Sequence, residues 1–184
     1  ITVFKTNDKI LLEKVREDDD VIDQIYSHIK SYMARLSQEF MDPNEAQRYV
    51  QILTFSTNLE HAGDVIDKNL MPIALKKIKG DSHFSEEGMA EIEHIHNLVV
   101  ESVQLAQSIF VSNDVDMARK LLQDKLDIRE AEITGMTEHI ERLSEGLPAT
   151  IATSAFHVDI IRDYRRINSY MCTVAYPLLE EKGE

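Results

Sequence analysis

Glu60 and Asp64 stand four residues apart in Leu59-Glu60-His61-Ala62-Gly63-Asp64, inside a long helical pattern. Four residues is close to one helical turn, so both carboxylates point the same way. Like charges at that spacing weaken an isolated helix by a few tenths of a kcal/mol. Asp159 and Asp163 repeat the arrangement in Asp159-Ile160-Ile161-Arg162-Asp163. Something must neutralise these pairs. One answer is solvent, on an acidic outer face. Another is a hard cation held by carboxylate oxygens that converge from neighbouring helices. Gly63 costs about 1 kcal/mol relative to Ala within a helix, and it permits close approach of a neighbouring helix or an ion. For the second pair, Arg162, Arg165 and Arg166 offer ion pairing instead. Asp163 falls nearer the apolar seam of its helix than Asp159.

Carboxylates alone suit Mg, Ca or Mn, whereas a histidine in the set favours Fe or Zn. His61, His139 and His157 can join such a site, but their spacing does not require it. Glu91 and His94 form one Glu-x-x-His, half of the ferritin-like di-iron motif; the only other, Glu93 and His96, overlaps it on the same helix, so the second helix that the motif needs carries none. His94 and His96 therefore read as ordinary helix-face residues. His139, near Arg142, is a mild candidate for phosphotransfer, which makes a stand-alone signalling or phosphotransfer bundle the alternative reading. Cys172 borders an apolar seam and reads as a small packed residue. The sequence holds no Gly-rich phosphate loop and no nucleophile constellation, so no enzyme is expected.

The elements that position these residues are helices. Only 6 Gly and 4 Pro occur in 184 residues, which leaves room for few turns. A hydrophobic fraction of 43% supports a packed core. A net charge of −13 gives no electrostatic footprint for nucleic acid or an anionic lipid surface. The single cysteine excludes an internal disulfide. No apolar run reaches the roughly 18–20 residues of a membrane span. The chain opens on Ile1, which points to a fragment of a longer polypeptide.

A first helix is expected over 8–40, with Ile22, Ile25, Ile29, Met33 and Leu36 on one stripe. Asp42, Pro43 and Glu45 have capping-box spacing and open a second helix reaching Lys79. Its seam runs through Ile52, Phe55, Leu59, Ala62 and Ile66, with a kink at Pro72 and a stop at Gly80. Lys76, Lys77 and Lys79 complement its dipole. Ser85 opens a third helix, with a stripe from Ile92 to Ile109. The fourth runs over 115–143, with Leu121, Ile128, Ile133, Met136 and Ile140 among its apolar positions. The fifth carries Ile160, Tyr164, Ile167, Met171, Val174 and Leu178, with Pro177 near its end. The fold class is all-α, a bundle of about five long antiparallel helices.

Asp20-Val21 followed by Arg35-Leu36-Ser37 recurs as Asp127-Ile128 followed by Arg142-Leu143-Ser144, at an offset of 107 residues. Each run precedes a Pro-led restart and a helix bearing spaced carboxylates. This divides the chain into 1–82, with two helices, and 83–184, with three. The first repeat then lacks its opening helix, leaving an apolar groove for an absent segment or a partner chain.

Asn58-Leu59-Glu60-His61-Ala62-Gly63-Asp64-Val65-Ile66 resembles the Glu-x-x-x-Asp signature of the PhoU family of phosphate-uptake regulators. Asp19-Asp20-Val21-Ile22-Asp23, ahead of Ile29-Lys30-Ser31-Tyr32, resembles that family's acidic motif on the preceding helix. The run from His157 to Ser169, continuing to Ala175-Tyr176-Pro177, resembles the PhoU-like tail of bacterial sodium/phosphate cotransporter family proteins. The resemblance spans the chain and implies tandem three-helix bundles. It implies a cytoplasmic regulatory domain of a sodium-dependent phosphate transporter, at the inner-membrane face of a bacterium. Its partners would be the transmembrane domain of the same polypeptide and further copies of itself, and it would not insert into the membrane. Surface metal ions (Fe, Zn, Mg or Ca) would be held at Glu60 and Asp64, and at Asp159 and Asp163. The family's frequent Glu-Arg-Ile-Gly-Asp stands here as Glu-His-Ala-Gly-Asp. In the second copy, Asp159 replaces Glu and Arg162 replaces Gly.

Overall fold

A computed structural model describes residues 1–38, 40–180 and 183. The chain is all-helical, with no strand among the described residues: α1 (Thr2–Thr6), α2 (Lys9–Leu36), α3 (Pro43–Val65), a π-helical turn (Ile66–Leu70), α4 (Met71–Lys79), α5 (Glu86–Ser112), α6 (Val115–Ser144), α7 (Pro148–Cys172) and α8 (Tyr176–Glu180). The first helix, expected over 8–40, ends at Leu36 as α2, and Phe40 is exposed outside any helix; Glu39 lies outside the described residues.

Short side-chain acceptors set the starts, because the first N–H groups of a helix have no partner within it. Asp42 accepts from Asn44 N and Glu45 N at 2.8 and 2.9 Å, and Glu45 returns the bond to Asp42 N. The corner between α1 and α2 and the corner between α5 and α6 are built alike. Asn7 and Asn113 take left-handed φ values of 55° and 54°, which Asn tolerates better than most residues. The following Asp8 and Asp114 then cap α2 and α6. Such short corners make the joined helices antiparallel neighbours.

α5, α6 and α7 pack on one another pairwise; α2 lies on α3, and α3 in turn lies on α7. Ile92, Ile95, Ile109, Leu121, Ile160 and Met171 are fully buried where the last three long helices meet. Phe4, Phe55 and Val65 extend the same core beneath the first two.

Four expectations shift. The second helix is not simply kinked at Pro72. Its ladder widens into the π-turn just before it, with Met71 N–H donating to Ile66 O. Pro72 lacks an N–H and crowds the carbonyl one turn earlier, and the extra residue per turn absorbs this. The fifth helix ends at Cys172 and restarts as α8, because Pro177 cannot continue the ladder. On α2, Met33 is buried while Ile22 and Ile25 stay 38% and 55% exposed. On α6, Ile133 and Ile140 are exposed while Gly135, His139 and Arg142 face inward.

Lys77 does more than complement a helix dipole. It is buried, and its Nζ donates to Asn7 Oδ1 at 2.7 Å while lying 5.5 Å above the Phe84 ring. Burial lowers its pKa. Asn7→Ala orphans this ammonium and strains the left-handed corner. Stability should fall by about 2 kcal/mol, read as a lower urea midpoint; an unchanged midpoint contradicts the role assigned to Asn7.

Candidate metal centre

Asp19 and Asp23 are one turn apart on α2, and α3 places Asp64 opposite them. Carboxylate oxygens of the three lie within 4.8 Å of one another. Gly63 is what lets the helices close here. A Cβ at Gly63 would stand 2.6 Å from Asp19 Oδ1, nearer than real contacts allow. The helix thus gives up about 1 kcal/mol of propensity to admit a carboxylate.

Asp19 is only 8% exposed, and its Oδ1 has no hydrogen-bond partner. Its carboxyl is pushed up to about 6, first by burial and then by the charges of Asp23, Asp67 and Asp64, with Lys68 acting against them. Lys68 pairs with Asp64 from the π-turn. The hydrogen bond to Asp64 is the main reason the ammonium's pKa is raised. Arg16 Nε reaches Asp67 Oδ1 at 3.0 Å, tying α2 to the same turn.

Of the four residues expected to hold metal, Asp64 lies in this cluster. Glu60, one turn earlier, is a separate half-buried carboxylate 3.6 Å from His61 Nε2. His61 leans on the Tyr170 ring at 5.2 Å. Asp159 pairs with Arg162 at 2.9 Å. Asp163 is 3% exposed and accepts from Asn69 Nδ2 at 3.0 Å. That ordering matches the expected seam, and the nearby arginine does compete for Asp159. Asp19 and Asp23 were visible as an acidic run with their own four-residue spacing. Nothing local in that run marks which of its acids turn towards α3.

The PhoU domain pattern matches residues 1–69 and 92–177. The chain belongs to the PhoU family. It is 34% identical over 173 residues to the Salmonella typhimurium protein named "Putative inorganic phosphate export protein YjbB", covering 94% of this chain and 31% of that one. The namesake in Escherichia coli (strain K12) is 33% identical over 172 residues, covering 94% of this chain and 32% of that one. This PhoU domain therefore spans about a third of the length of these curated relatives. The phosphate-specific transport system accessory protein PhoU homolog 1 of Thermotoga maritima is 29% identical over 177 residues, covering 92% of this chain and 72% of that one. The crystal structure of PhoU from Pseudomonas aeruginosa shares the fold, with a TM-score of 0.83 and 24% identity, covering 96% of this chain and 84% of that one.

This PhoU domain has a second polar cluster at the far end of α6. Arg142 forks onto Glu91, with Nη1 2.6 Å from Oε1 and Nη2 2.8 Å from Oε2. His157 Nε2 lies 2.9 Å from Glu91 Oε2, and the His139 ring stacks on His157 at 4.5 Å. His139 is 2% exposed, and its Nε2 is bonded to Ser154 Oγ at 2.9 Å. It therefore lacks the exposure that the phosphotransfer alternative needs. Glu91 is committed to Arg142 and His157 rather than to a Glu-x-x-His ligand pair.

Proposed function

We propose that this PhoU domain regulates a phosphate-transporting membrane protein of which it is one segment. It acts from the cytoplasmic face of a bacterial inner membrane and has no catalytic role. Relatives named for phosphate export support this reading, since the likeness covers nearly the whole chain at 33–34% identity. A relative named as an accessory of phosphate-specific transport supports it further. Family resemblance points to a sodium-dependent phosphate carrier as the regulated segment.

The observation that carries the mechanism is the buried, unpartnered Asp19 carboxylate facing Asp23 and Asp64 across Gly63. Three carboxylates with no histidine among them fit a hard divalent cation such as Mg2+, Ca2+ or Mn2+. Such an ion would supply charge neutralisation that Lys68 alone gives in part. Lys68 and Asn69 are neighbours on the π-turn, one holding Asp64 and the other Asp163 on α7. Release of Lys68 from Asp64 would therefore be felt at α7 through a turn whose wider helical ladder is easily shifted. Such a switch acts only through differing affinity for the two states.

Thermal unfolding with and without Mn2+, Mg2+ or Ca2+ tests the site. A ligand at a hundredfold excess over its Kd stabilises by about 2.7 kcal/mol, several degrees in a domain of this size. Asp64→Ala should abolish that shift. An equal shift in the variant places the ion elsewhere. In cells, phosphate flux through the full polypeptide should change with Asp64→Ala at unchanged protein level, and unchanged flux removes the regulatory reading.

A further inference from the structure

Two adjoining recesses open where the N-terminal half of α3 meets the end of α5 and the break between α7 and α8. α7 stops at Cys172 and α8 restarts at Tyr176, and the short turn between them does not fill the space beside α3. The inner recess, about 290 Å³, is walled by Phe55, Phe110, Val174, Pro177 and Leu178. The outer one, about 380 Å³, is walled chiefly by the amide side chains of Asn44, Gln47, Gln51 and Asn113. Arg48 belongs to both walls. Its guanidinium lies 4.3 Å from the centre of the Phe110 ring, and Phe110 stacks on Phe55 at 4.4 Å. Arg48 and Phe55 stand two turns apart on α3, roughly 10 Å, so they cover opposite faces of that ring. Phe110 therefore turns only its edge to the inner recess, which with Val174, Pro177 and Leu178 makes a slot for an aliphatic chain.

We propose that the two recesses bind a single-chain anionic amphiphile, with its alkyl chain in the inner recess and its oxyanion head on Arg48 in the outer one. Charge selects this occupant. The chain holds 33 Asp and Glu against 20 Lys and Arg, yet no acidic residue lines either recess. Arg48 has no ion pair among the described residues; its Nη1 donates to Gln51 Oε1 at 3.2 Å. A guanidinium carries several further N–H donors, and stacking on Phe110 holds its plane in place. Those donors form a preset fork for a carboxylate or phosphate. Glu45, one turn earlier, is committed elsewhere, since its Oε2 accepts from Asp42 N in the capping box. The floor is equally fixed. Asn58 Nδ2 donates to Thr173 Oγ1 at 2.6 Å, and that hydroxyl donates to Tyr170 O at 2.7 Å, which ties α3 to the turn after α7. Apolar walls with a few placed polar groups are the usual make-up of a small-molecule site. Gln51 lies about 20 Å along α3 from Asp64, so this site is separate from the acid cluster, and nothing in it depends on the regulatory reading.

NMR titration of the protein with decanoate, decyl phosphate and decanol, each below its aggregation concentration, tests it. At least one of the two anions should saturate, with the largest amide shifts at Phe110, Thr173, Val174 and Leu178. Tighter binding of decanoate assigns a fatty-acid source, and tighter binding of decyl phosphate a phosphate-headed lipid. Arg48→Gln should weaken the anions by about tenfold or more and leave decanol unchanged. Thr54→Trp, at the exposed rim of the inner recess, should abolish binding of all three without lowering the melting temperature. Failure of both anions to saturate overturns the proposal. Inorganic phosphate moving the same signals with the same affinity overturns it too, since the inner recess then plays no part. So does an Arg48→Gln variant that binds the anions as wild type does.

Discussion

Asp19→Asn should raise stability at pH 7 in the presence of chelator, while removing any stabilisation by a divalent cation. The wild-type carboxyl sits at about 6 against an ordinary 3.8. Its folded pKa is raised, so the folded state binds the proton more tightly between those values. The group's contribution is fully present below about pH 4 and is lost as pH rises through about 6. At pH 7 the buried, unpartnered charge costs on the order of 2 kcal/mol. Asn fills the same space beside Gly63 and offers an N–H to Asp23 or Asp64 where Asp19 offers repulsion. The melting temperature in chelator should therefore rise by several degrees at pH 7, and the advantage should shrink towards pH 4. Opposite signs in chelator and in excess divalent cation separate a binding carboxylate from a structural one. A variant that melts lower than wild type in chelator at pH 7 contradicts this account.

Arg142→Ala should produce the largest loss. The Arg142 and Glu91 side chains are 11% and 12% exposed and joined by two hydrogen bonds. Removing one partner of a buried pair typically costs about 3–5 kcal/mol, because the other charge is left desolvated. For a domain of this size that is a fall in melting temperature of roughly 6–20 °C. The same cluster makes the fold acid-sensitive. Burial by itself raises the Glu91 carboxyl, but the adjacent His157 ring and the two bonds from Arg142 outweigh it and hold the pKa at about 2. That stability is present above the ordinary value near 4.5 and is lost as pH falls towards 2. His139 is lowered by burial, then by His157 and Arg142, so its contribution is present above its ordinary 6.5 and declines below it. Both slopes run against that of Asp19. Unfolding free energies across pH 2–5 should therefore fall steeply in wild type and flatten in Glu91→Gln; equal slopes would remove Glu91 from the acid response.

Helix starts, stops and class were legible in the sequence because they depend on neighbours in the chain. The capping box at Asp42 and Glu45, the breaks at 80 and 113, and the few Gly and Pro residues each act within one turn. The family pattern was legible for the same reason, being a string of residues at fixed spacing. Gly63 was recognisable as a close approach, since its conformational cost needed a cause. The identity of what approaches was not. Asp19 and Asp23 rather than Asp18 and Asp20 meet Asp64 because the rotation of α2 against α3 chooses among the acids of α2, and that rotation depends on packing across the whole pair. The inward turn of His139 and Arg142 is also a tertiary outcome. Hydrophobic periodicity placed Ile133 and Ile140 inside, yet Glu91 on α5 offers Arg142 a two-bond partner, and α6 is oriented around that ion pair. The π-turn before Pro72 likewise comes from a register set over several turns. Local chemistry thus named the helices and their family, while contacts between residues far apart in the chain chose which polar groups each helix presents to its neighbours.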